Sequence, residues 1–184
     1  MKESVGTSTF MYPCPLVAVG TYDAKGKPNV MTVAWTGVVN GNPASISVSV
    51  RKETYSYQAL MTRKAFTVNI PSQDQLKEID FIGKTSGRDT DKFAATGLTP
   101  VRSALVDAPY IEEFPVTIEC KVIKAEDLGL HTIFIGEIKD VKVCSDCLNE
   151  SHMPVTEKIK PIAFLPGDGS YYALGERLEI KGSD

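Results

Sequence analysis

Along ASISVSVR, residues 44–51, apolar Ile46, Val48 and Val50 alternate with Ser45, Ser47, Ser49 and Arg51. A period of two predicts a strand with one buried face, and it places Ser49 and Arg51 together on the polar face. Before it, PLVAVGTYD (15–23) predicts a first strand and NVMTVAWT (29–36) a second, joined by DAKGKPN as a hairpin connection. The second strand carries Val30, Thr32, Ala34 and Thr36 on one face and Met31, Val33 and Trp35 on the other. Both faces are largely apolar, which predicts a central place in a closed or doubly covered sheet, with the next strand returning after GNP.

From Thr54 to Arg63 the pattern becomes helical, with Tyr57, Leu60 and Met61 on one side, and AFTVNI then supplies a strand ended by Pro71. Ser72 and Gln75 have the spacing of a capping box ahead of an apolar stripe of Leu76, Ile79 and Ile82. The polar, turn-rich KTSGRDT leads into DKFAATG, a brief helix closed by Gly97. PVTIECKVIKAED and HTIFIGEIKDVKV predict two long antiparallel neighbours, and PIAFLPGDGSYYALG a short strand, a turn and an aromatic terminal segment. No internal repeat or linker interrupts the chain, so residues 1–184 read as a single domain, and a barrel is the economical way to cover these strands.

A net charge of −3 gives no overall drive toward nucleic acid, although a local cluster can still hold one small phosphate. No window approaches the roughly 18 uninterrupted apolar residues of a membrane helix, so a cytoplasmic protein is expected. The four cysteines are too few and too unevenly spread for a disulfide scaffold, which makes reduced thiols the expectation. Cys144 and Cys147 form a CxxC with His152 five positions on. A redox pair, part of a metal site and an incidental exposed loop are the alternatives, and no fourth ligand has a spacing that completes a tetrahedral zinc site.

The residues around Arg51 carry the most chemistry. Arg51 ends a strand and Thr54 follows three positions later, where a hydroxyl can cap a helix whose unpaired N–H groups and positive dipole end favour a phosphate. The competing reading is a solvated strand end followed by an ordinary cap.

Taken in order, NVMTVAWTG, VSVRKETYSY, AFTVNIP, SGRDTDKF, TIECKV and HTIFIGEI resemble the flavin reductase-like family of FMN-binding split barrels, which includes flavoredoxin and related ferric reductases. The resemblance implies a mainly β fold with short helices, a six-stranded antiparallel Greek-key split barrel, and a homodimer with FMN near its interface. It also implies site residues. Ser49, Arg51 and Thr54 meet the FMN phosphate, with Ser86, Gly87 and Lys92 of SGRDTDKF as the second phosphate contact and Lys92 coming from the same or the partner subunit. Thr32, Ala34, Trp35 and Thr36 line the flavin ring, Asn29 anchors the start of their strand, and His131 stands near the nicotinamide or substrate side as the catalytic candidate.

Several of these have plain structural rivals. Trp35 suits a core aromatic as well as a ring contact, His131 a structural strand start, and Arg88, Asp89 and Asp91 a solvated loop. The function implied is an FMN oxidoreductase that takes a hydride from NAD(P)H and passes electrons to an unnamed acceptor, with no metal and no role for the CxxC. The alternatives are a flavoredoxin-like electron carrier without NAD(P)H activity and a non-catalytic flavin-binding protein.

Overall fold

The computed structural model describes residues 1–180. Its strands and helices follow in chain order: β1 (Cys14–Pro15), β2 (Val17–Tyr22), β3 (Pro28–Val33), β4 (Thr36–Gly41), β5 (Ala44–Arg51), α1 (Tyr55–Arg63) and β6 (Ala65–Ile70). After them come α2 (Leu76–Lys84), α3 (Lys92–Thr96), the short pair β7 (Pro100–Arg102) and β8 (Pro109–Ile111), and the long strands β9 (Val116–Asp127) and β10 (His131–Val143). α4 (Thr156–Ile159), β11 (Ile162–Leu165) and β12 (Ser170–Ala173) complete the chain.

The fold is mainly β with short helices, as expected, but the main sheet has seven strands rather than six, in the order β3-β2-β6-β9-β10-β5-β4. The extra strand arises because the apolar run from Asn29 to Thr36 does not stay one strand. β3 ends at Val33, and Thr36 already pairs with Val48 in the hairpin of β4 with β5. Ala34 and Trp35 therefore carry the chain from one end of the sheet order to the other. Three residue steps span at most about 11 Å, so the two ends lie side by side and the sheet must be rolled, with a split between β3 and β5. The long-range pairing of β10 with β5, His131 opposite Arg51, gives the roll its Greek-key crossing.

β3 is thus an end strand of the ladder, not the central one its two apolar faces suggested. It is doubly covered all the same. Val33 joins the barrel interior with Val17, Val48, Val50, Phe66 and Phe134. Val30 joins a second cluster with Ile79, Ile82 and Phe93, beneath α2 and α3. Phe66 and Phe134 are fully buried, each worth roughly 1.5–3 kcal/mol of apolar transfer. Gly136 is required beside them, since a Cβ there would come within 2.6 Å of the Phe66 ring.

Local signals hold where the surroundings are local. Ile46, Val48 and Val50 are buried as their period demands. Ser72 and Gln75 form the capping box, with Gln75 Oε1 accepting from Ser72 N at 2.7 Å, although it caps a 3-10 turn (Gln73–Gln75) that runs into α2. Leu76, expected in the buried stripe, faces solvent while Ile79 and Ile82 are buried. Gly97 closes α3 at φ +72°. The terminal segment forms β11 and β12, which join β1 in a separate three-stranded sheet. The CxxC is not an exposed loop: Cys147 is buried with Val116 and Ile159 in a small third cluster, and Cys144 packs against it.

Candidate functional site

The split between β3 and β5 is flanked by the start of α1 and by the segment from the end of α2 to Lys92, leaving a cleft of about 490 Å³. At one end, Arg51 Nη1 is held 3.2 Å from Glu53 Oε1, and both side chains are exposed. Arg88 Nη2 donates to Glu53 O at 2.7 Å, so a second guanidinium borders the same end. Ser86 Oγ accepts from Arg88 N at 3.2 Å and shapes that turn.

Thr54 does not cap α1 with its hydroxyl. Its Oγ1 donates to Arg51 O at 2.9 Å, and the helix starts without a side-chain cap and without an acidic residue in its first turn. The expectation of a hydroxyl cap is corrected here, because the strand end offers a carbonyl within closer reach. The consequence favours an anion: Tyr57 N donates to Thr54 O at 3.2 Å, but the start of α1 has neither a side-chain cap nor a first-turn carboxylate to offset its positive dipole end, which lies near two guanidiniums.

Asn29 is buried, and its Nδ2 donates to Ser56 Oγ at 2.9 Å, which ties β3 to the first turn of α1. Gly87 seats its bare backbone on this pair; a Cβ there would overlap Asn29 Oδ1 and the Tyr55 ring. Further along β3, Thr32 Oγ1 donates to Ile79 O at 2.7 Å, and Gly83 lies against the same side chain. Lys92 reaches the cleft from below. It is buried, with Nζ donating to Val30 O at 2.9 Å and Ile82 O at 2.8 Å, and burial lowers its pKa to about 8.

Trp35 is 40% exposed and lies tilted against His131, ring centroids 4.8 Å apart at 37°, and His131 is the cross-strand partner of Arg51. Trp35 is therefore not a core aromatic. Ser49 N donates to Trp35 O at 2.9 Å, and Met31, Val33 and Ala34 extend the apolar flank. Eleven of the twelve residues singled out in the sequence line this one cleft. Thr36 does not: it has crossed onto β4, where Oγ1 donates to Ser47 O at 2.6 Å, and it borders a separate hollow beside the N-terminal segment.

Residues 9–166 match the family model described as the flavin reductase like domain. The chain belongs to that family. Flavoredoxin of Desulfovibrio vulgaris (Miyazaki F) matches with TM-score 0.93 at 48% identity, covering 100% of this chain and 98% of that one. Flavoredoxin from Methanosarcina acetivorans matches with TM-score 0.91 at 27% identity, over 99% and 96%. A ferric-chelate reductase (NAD(P)H) of Archaeoglobus fulgidus is 28% identical over 59% of this chain and 63% of its own length.

Sequence reasoning missed several residues that this flavin reductase like chain brings to the cleft: Met31, Glu53, Tyr55, Thr85 and Arg88. Arg88 carried a usable signal, a cation directly after the Ser-Gly of the second loop motif, but only the fold carries it back to Glu53. Asp91, read as a solvated loop charge, instead caps α3 by accepting from Ala94 N at 3.1 Å and pairs with the distant Lys27 at 3.0 Å. Among the described residues no group of three His, Cys, Asp or Glu is placed to hold a metal, and no helix is long and apolar enough to cross a membrane. The Cys144 and Cys147 thiols are both pushed up in pKa, chiefly by burial, which disfavours the thiolate.

Proposed function

We propose that the cleft holds FMN and that the protein is an oxidoreductase which takes electrons from NAD(P)H and passes them, through the bound flavin, to a flavin or ferric acceptor. The observation that carries this reading is the set of groups the cleft gathers. Two guanidiniums and a helix start without a side-chain cap adjoin an apolar flank of Met31, Val33, Ala34 and Trp35, with His131 beside Trp35 and opposite Arg51 in the β10–β5 pair. That donor set fits a phosphate joined to a flat aromatic ring. When bound, FMN supplies the hydride- and electron-transfer chemistry.

The protein's own residues bind and orient. Arg51 exchanges its exposed pairing with Glu53 for a bidentate contact to phosphate, with Arg88, Ser49, Ser86 and the N–H groups of α1 alongside. Asn29 and Gly87 hold β3 and the second loop in register with α1, while Thr32 and Ala34 keep the apolar flank close to the ring. His131, tilted against Trp35, is the side chain closest to hand for a hydride donor or acceptor approaching that ring.

Extraction of the cofactor from purified protein, with identification by mass, tests the reading, and recovery of FAD or of no flavin overturns it. The likeness to flavoredoxin over the whole chain supports a second reading, an electron carrier fed by another redox protein. Anaerobic and aerobic NAD(P)H oxidation, with and without added FMN, separates the two: turnover supports the reductase, and its absence in a flavin-loaded protein supports the carrier. We further propose a homodimer, because β4 presents Val38 and Val39 to solvent on an unpaired sheet end.

A further inference from the structure

The hollow that Thr36 borders is separate from the cleft, yet the two share a wall. Its volume is about 460 Å³, and Ala34 and Trp35 line both spaces. Phe10, Met11 and Pro13 of the N-terminal segment line it as well, and no charged side chain does.

That segment is fastened in place. Cys14 pairs with Phe164 on β11, its Sγ donates to Met11 O at 3.1 Å, and Met11 N donates to Thr9 O at 2.9 Å. Tyr12 stacks with Phe10, ring centroids 6.1 Å apart, and its hydroxyl end lies so close to Gly167, in the turn between β11 and β12, that a Cβ there would overlap it. One side of the hollow is therefore fixed to the small three-stranded sheet.

The chemistry of the lining decides what the space can take. It offers aromatic, aliphatic and thioether surface without a cation, so a phosphate or a carboxylate-bearing ferric chelate would lose hydration there and gain no counter-charge. Thr36 Oγ1 already donates to Ser47 O, whereas the hydroxyls of Ser8 and Thr9 border the hollow with no protein partner among the described residues. Free O–H donors beside an apolar surface match a flat ring that carries carbonyl oxygens and no charge. Trp35 gives such a ring an aromatic neighbour.

We propose that this hollow is a second ligand site, distinct from the cofactor cleft, for an uncharged ring compound with carbonyl groups, of the quinone class. The site goes beyond the FMN reading and does not depend on it, since its lining is complete without any occupant of the cleft.

The test is equilibrium dialysis against duroquinone, a quinone whose fully methylated ring resists addition of thiols, with the protein freed of flavin and loaded with FMN in parallel. The expected result is saturable binding of one quinone per chain in both forms. Met11 is 70% exposed, so Met11→Asp sets a carboxylate in the lining without disturbing the core. It should weaken the quinone about tenfold, while Met11→Leu keeps the affinity and neither variant changes FMN binding. Absence of saturable binding overturns the proposal. Binding that FMN abolishes puts the quinone in the cleft and overturns it too, as does binding that Met11→Asp leaves unchanged. If no quinone binds and Met11→Asp turns a dimer into a monomer in sedimentation, the hollow is an interface between copies of the chain and the proposal falls. A flavin-free protein that binds quinone as expected but takes up no FMN keeps this site and sinks the cofactor reading alone.

Discussion

Arg51 and Lys92 are two cations of one cleft with opposite surroundings, and they respond to different experiments. Arg51→Ala removes a charge-assisted contact from an exposed strand end, so FMN affinity falls by about ten- to a hundredfold while riboflavin affinity and the fold are kept. Equal weakening of both ligands would show that Arg51 does not meet the phosphate. Lys92 reports through pH. Its folded pKa of about 8 lies below the ordinary lysine value of 10.5, so the folded apoprotein binds fewer protons than the unfolded chain between those values. Its burial penalty is complete below pH 8 and is relieved as pH rises. Unfolding of apoprotein in urea should therefore show the unaltered chain gaining on Lys92→Met from about pH 7.5 to about pH 9.5. Trp35, the sole tryptophan, gives an optical handle on the same cleft. Its emission should be quenched as FMN binds, and Trp35→Phe should abolish the signal at a stability cost of less than about 1 kcal/mol because the ring is partly exposed.

At the scale of elements, the junction of β5 with α1 joins a strand's polar face to a helix start that its own Thr54 leaves uncapped. Much of this junction was legible in the sequence, because alternation and the position of Thr54 are local facts. The direction of the Thr54 hydroxyl was not, since a carbonyl and a helix N–H compete for it within a few ångströms. The turn carrying Cys144 and Cys147 is a separate matter. Cys147 is packed against Val116 and Ile159, away from the residues that line the cleft. Replacing both cysteines by serine should cost about 1–3 kcal/mol through a buried hydroxyl at position 147 and leave FMN content and reduction rate nearly unchanged. Loss of flavin from a folded double variant would show that the pair serves the site.

For the whole molecule, the decisive feature is the chain's passage through Ala34 and Trp35 from one sheet end to the other. It creates the split, exposes Trp35 to the cleft and leaves β4 with two solvent-facing valines on an end strand. If a second copy covers that strand, Val39→Lys should shift the protein from dimer to monomer in sedimentation without unfolding it. A monomer before any substitution would overturn the homodimer.

Periodicity and capping chemistry determined, from the sequence alone, the long strands β9 and β10, the buried face of β5, the capping box at Ser72 and Gln75, and the shared face of Arg51 and Ser49. Such signals depend on neighbours a few residues apart, and the chain carries them in any fold. Tertiary structure decided that the 29–36 run breaks, that Thr36 lies outside the cleft while Arg88 lines it, that Cys147 is buried, and that Lys92 is buried on two carbonyls. Each of these depends on which distant segment arrives alongside: β5 opposite β10, α2 over β3, residues 84–92 against the start of α1. That choice follows from how the whole rolled sheet buries its apolar faces at once, and no local window of sequence contains it.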